Sequence, residues 1–189
     1  MNSEDANNTA KLYPDLLAVG GLAVGLEQAL VEVGALLHVR TLDELLDPKQ
    51  RKVIKGFPAY AYVERHERSS QVYIGAERRM FLFDFWQRGV TLANGATPEL
   101  KKFAKSLHCW IVELVTTREL AAEFPFVKPE DSAEAFESSS EVDYTWNWYE
   151  DWIPRAHPEL ISFFEVAKHT HQVTVHGLVI RDGLGCDRK

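Results

Sequence analysis

The chain has 189 residues, 46% of them apolar and 26% charged, enough for one domain with a real core and no need of disulfide staples. Its formal net charge of −7 argues against nucleic acid as a direct partner, which needs clustered Lys and Arg, and its longest apolar run, LLAVGGLAVGL, is too short to cross a bilayer. The two cysteines, Cys109 and Cys186, match no zinc or redox spacing, and the polar opening MNSEDANNTAKL lacks the pattern of a signal peptide, so a cytoplasmic location is expected.

Residues 1–11 read as a disordered start and 12–189 as a single α+β domain. Tyr13-Pro14-Asp15 opens a helix whose apolar residues keep three- and four-residue spacing as far as Gly34. Leu36–Leu42 reads as a short strand, and DELLDPKQ as a short helix or turn broken at Pro48. From Phe57 the aromatic and β-branched residues alternate, which places strands near 57–65, 71–76, 79–86 and 90–93. The polar turns between them, ERSS, GAE and QRG, suit an antiparallel meander covered by helices on one face. Thr97-Pro98-Glu99 then begins a helix to Leu114, with Leu100, Phe103, Leu107, Ile111 and Leu114 along one side. Another helix starts at Thr117 and ends by Pro125, making the C-terminal half helical.

The negative charge is local. Between Lys128 and Arg155 there is no basic residue, while Glu130, Asp131, Glu134, Glu137, Glu141, Asp143, Glu150 and Asp151 supply eight acids. Without them the chain is close to neutral. Within this segment, SSSEVDYTWNWYEDWIP carries three Trp and two Tyr. As a helix capped by Ser140 and stopped before Pro154, it sets Val142, Trp146, Tyr149 and Ile153 on one stripe and Tyr144, Trp148 and Trp152 on a second. As a strand, Val142, Tyr144, Trp146 and Trp148 also alternate cleanly; the helix is preferred. Large aromatics among charges of one sign are what interface anchors look like, although both stripes could instead be core.

Other chemistry-bearing residues have plainer readings. Asp84 lies inside MFLFDFW on a strand apolar on both faces, so it is expected to be a buried structural acid paired with Arg78, Arg79, Arg88 or a helix N-terminus. The glycines of AVGGLAVGL follow no strand and precede no Lys-Ser/Thr pair; they fit close helix packing and no phosphate or dinucleotide cofactor. His169 and His171, with His176 nearby, have metal-compatible spacing but no carboxylate or cysteine to complete a set. Cys109 is expected on the open side of its helix, with His108 off that side, which makes a poor nucleophile pair.

Three segments, LYPDLLAVGGLAVGLEQAL, YIGAERRMFLFDFWQRGVTLANGAT and RELAAEFPFV, resemble a bacterial family of unknown function. Its members accompany natural-product clusters and stand beside Rhs-type polymorphic toxins as immunity proteins. The resemblance spans about 12–165 and leaves out HTHQVTVHGLVIRDGLGCDRK. It carries over no catalytic residue and no cofactor, and implies a protein that binds a cognate toxin, one with a basic NAD- or nucleic-acid-acting domain. The residues expected to make that contact are Asp143, Trp148, Glu150, Asp151 and Trp152. The rival reading is an accessory protein or enzyme of natural-product biosynthesis using Asp84 or the His169/His171 pair.

Overall fold

The computed structural model describes residues 10–46 and 59–170. The chain divides between Glu137 and Ser138 into two compact units, where the sequence suggested one domain from 12 to 189. Each unit is taken by itself below.

The first unit is an α+β fold. Helices α1 (Pro14–Val19) and α2 (Leu22–Glu32) are followed by β1 (Val39–Arg40), the short α3 (Leu42–Leu45), β2 (Tyr60–Arg65), β3 (Arg68–Ile74), β4 (Phe81–Gln87) and β5 (Val90–Thr97). Then come α4 (Leu100–Ile111), α5 (Thr117–Glu123), β6 (Val127–Pro129) and α6 (Ala133–Glu137). The six strands form one antiparallel sheet in sequence order. This is the expected meander, with β4 central between β3 and β5.

One face of the sheet holds the core. Phe81, Phe83 and Phe85 alternate onto it, joined by Val63, Val72 and Ala93 from neighbouring strands. Helix α4 lies against this face: Phe103 stacks near Phe83 at 4.6 Å between ring centroids, and Trp110 near Phe85 at 5.6 Å. Phe103, Leu107, Trp110 and Ile111 are fully buried, each burial contributing roughly 1.5–3 kcal/mol. Arg68 closes the C-terminal end of α4, its guanidinium donating to the carbonyls of Trp110 (2.9 Å) and Val115 (2.7 Å) while lying 3.9 Å over the Trp110 ring.

Several boundaries differ from the sequence reading, each for a tertiary reason. The helix expected from Tyr13 to Gly34 breaks at Gly20-Gly21, where both residues take positive φ, +98° and +126°. The packing role falls on Gly25 instead, where a Cβ would stand 2.5 Å from Leu16 of α1. The strand expected over 36–42 is only Val39–Arg40, because Thr41 caps α3, its backbone N–H accepted by Glu44 in a capping box. Strand β5 runs on through ANGAT to Thr97, since Asn94, Gly95, Ala96 and Thr97 pair with Asp84 to Phe81. Helix α4 therefore starts after Glu99, and Leu114, expected on its buried side, lies past its end at φ +58° and is exposed. Residues 10–12, of which the first two were expected to be disordered, form a helical turn whose Leu12 packs against the core.

The second unit is a helical hairpin. Helix α7 (Glu141–Ala156) leads into a 3₁₀ turn at Pro158–Leu160 and a further helix over 161–170. Pro154, which was expected to stop α7, sits inside its last turn instead. It is solvent-exposed, and the helix closes with the His157 N–H donating to the Ile153 carbonyl at 2.8 Å.

Candidate functional site

In the hairpin, the two aromatic stripes of α7 have different surroundings. Val142, Thr145, Trp146, Tyr149 and Ile153 face Leu160, Phe163, Phe164 and Ala167, and these side chains line an apolar groove of about 480 Å³. Trp146 lies 5.4 Å and Tyr149 6.4 Å from the Phe164 ring, which is buried with Ile153 at the base of the hairpin. Phe163 is nonetheless 74% exposed, and Val142, Tyr149, Leu160 and Val166 are exposed as well. The second stripe is open: Trp148 (48% exposed) and Trp152 (38%) stack at 5.3 Å with ring planes 16° apart, and Trp152 meets His157 at 5.1 Å. Stacking at four-residue spacing holds these indoles in one orientation, which lowers the entropy cost of using them as anchors.

All five residues expected to contact a partner are exposed on α7. They differ in their freedom. The Asp143 side chain makes no ion pair or hydrogen bond with another described residue. Asp151 accepts from Arg155 one turn on, at 2.9 Å, and Glu150 pairs with Lys168 of the following helix. The Asp151–Arg155 pair is exposed on both sides and contributes little, so it leaves the Asp151 carboxylate available at modest cost, whereas Lys168, the partner of Glu150, is half-buried. The wall built by Leu160, Phe163, Phe164 and Ala167 was not foreseen, although its three- and four-residue spacing after Pro158 is a readable helix signal.

Asp84 departs from its expected role. It is on the central strand, yet only the phenylalanine face of β4 is fully buried; Leu82, Asp84 and Trp86 stand on the other face, Leu82 exposed and the other two half-buried, with the Trp86 indole nitrogen itself out of contact with solvent. None of the nominated arginines reaches it. Arg79 makes a two-pronged contact with Asp15, 2.7 Å on each side, and Arg88 lies against Glu67 and over Phe136. Burial raises the Asp84 carboxyl above the ordinary carboxylate range, and the nearby Glu130 adds to it. No described side chain donates to it. The structural pairing expected from sequence is therefore not made by any described residue.

Among the described residues the remaining candidates assemble no reactive group. Cys109 is half-buried and packed against the core, not open as expected; burial and then Glu113 push its thiol up to about 12, which disfavours a thiolate. His108 is turned to the Val33 carbonyl at 3.0 Å and to Glu113 at 3.8 Å. His169 is exposed, while His171 and His176 lie outside the described residues. Among the described residues no group of three His, Cys, Asp or Glu is placed to hold a metal, and no helix is long and apolar enough to cross a membrane. Compared with protein-family models, curated proteins and solved structures, the chain finds no match.

Proposed function

We propose that this protein is an immunity-type binding protein, which neutralises a cognate antibacterial toxin by laying the acidic, aromatic surface of its helical hairpin over the toxin's active site. The observation that carries this reading is the stacked, exposed Trp148–Trp152 pair beside an open apolar groove, with Asp143, Glu150 and Asp151 on the same helix. Large aromatic anchors in a charged surround concentrate binding energy, and carboxylates of one sign speed encounter with a basic catalytic cleft. The resemblance of the 12–165 segments to an immunity-like family supports the same reading. The alternative, a natural-product accessory enzyme, draws its specific support from the raised carboxyl of Asp84, the kind of group that serves as a general acid.

Co-expression with the product of the gene immediately upstream tests the proposal. A stoichiometric complex and rescue of growth are expected, with Trp148→Ala and Trp152→Ala each weakening the complex by about 2 kcal/mol. No complex and no rescue would overturn it. An activity lost in Asp84→Asn would favour the enzyme.

A further inference from the structure

The outward face of the six-stranded sheet carries an arrangement that the hairpin reading does not use. Cross-strand register sets Arg40, Tyr62, Gln71, Asp84, Asn94 and Lys128 in a single row across all six strands. On one side of that row stand Tyr60, Tyr73 and Leu82, the last two each 44% exposed; on the other stands Trp86. A one-sided antiparallel sheet ordinarily turns polar side chains to water. This one turns out three tyrosines, a leucine and a tryptophan around Asp84, with Glu64 on its β2 side.

The polar groups beside Asp84 make their hydrogen bonds to other partners. The Gln71 side-chain oxygen accepts from Tyr73 at 2.8 Å, and the Asn94 amide donates to Glu130 at 2.6 Å. Arg40, at the far end of the row, pairs with Glu64 and lies 4.9 Å over the Tyr62 ring. Lys128 is separated from Asp84 by the intervening β5, about 10 Å at ordinary strand spacing. A half-buried carboxylate with a second acid close by and no side-chain donor among the described residues is a local excess of negative charge in a partly apolar setting. What satisfies it must bring a cation that also tolerates aromatic surface. Guanidinium does both: its planar fork matches a carboxylate, and it is weakly hydrated and stacks on rings.

We propose that the open sheet face centred on Asp84 is a docking surface for a protein partner that places an arginine side chain between Asp84 and the flanking Tyr73 and Trp86. Charge complementarity selects this occupant over a second copy of the chain through its apolar surfaces, and over an anionic ligand. The surface is independent of the hairpin contact, so either can fail without the other.

The test titrates the intact protein with a soluble peptide of alternating glycine and arginine, following backbone amide shifts by NMR, with the lysine and glutamate versions as controls. Shifts at 71–73, 82–86 and 94 are expected, stronger with arginine than with lysine and absent with glutamate. Asp84→Asn, nearly isosteric and so expected to fold, should weaken those shifts about tenfold, the loss of a charge-assisted contact. Asp43→Asn, on α3, should leave them unchanged. Shifts confined to 141–156, shifts insensitive to Asp84→Asn, or no shifts at all would each overturn the proposal.

Discussion

Tyr13 sits fully buried just before α1, and its hydroxyl closes the β3–β4 loop: it accepts the Met80 N–H at 2.8 Å and has the carbonyls of Gly75 (2.9 Å) and Met80 (3.0 Å) within reach of its proton. Tyr13→Phe keeps the ring packing against Phe81 but strips the Met80 N–H of its acceptor. A loss of about 1–2 kcal/mol is expected, read as a lower denaturation midpoint at unchanged slope. Asp84 should behave in the opposite sense. Its carboxyl is raised in the folded protein, so ionisation costs stability at neutral pH, and that cost disappears as pH falls below the ordinary carboxylate value. Tyr73 and Glu130 are the titratable groups that interact with it. Asp84→Asn is therefore expected to raise the melting temperature at pH 7 and to leave it unchanged near pH 3; a lower melting temperature at pH 7 would contradict the unpaired state. The sequence identified Asp84 as an acid on a central strand but could not show that Arg79 would turn to Asp15, 64 residues away.

The elements themselves were largely readable. Period-two alternation located the central strands to within a few residues, and the helix expected from Thr117 is α5, whose start Thr116 and Glu119 close with a capping box. The C-terminal extension of β5 was not readable, because ANGAT has turn-like composition and becomes strand only by pairing with β4. Gly95 explains how: a Cβ there would stand 2.5 Å from both the Phe83 ring and the Phe126 carbonyl oxygen. Gly95→Ala is expected to cost about 1–3 kcal/mol by overpacking, measured by chemical denaturation. Wild-type stability in that variant would mean the β5–β6 edge can shift at no cost. Helix α7 was the preferred reading of a pattern that also alternates as a strand, and its hairpin partner over 161–170 gives the Trp146 and Tyr149 side something to pack on.

For the whole molecule, the division between Glu137 and Ser138 separates two units of unequal interior. The first has a continuous core on one sheet face, whereas in the second only Ile153 and Phe164 are buried among the described residues. A chain ending at Glu137 is accordingly expected to keep its near-ultraviolet circular dichroism and a cooperative thermal transition, since that core is complete without the hairpin. Loss of the transition would show that the hairpin supplies part of the core. The hairpin, with so much apolar surface open, is expected to gain most of its rigidity on binding a partner.

By itself the sequence determined the antiparallel meander of β2 to β5, the starts of α1, α4 and α5 to within a few residues and the concentration of aromatics and acids at 141–153, because spacing, capping and charge are local properties of the chain. Only the tertiary structure decided which face of β4 is covered, which arginine meets which acid, and which of the two aromatic stripes stays open. Those outcomes depend on residues brought together from distant parts of the chain, and alternation along a single strand says that two faces exist without saying which one is covered.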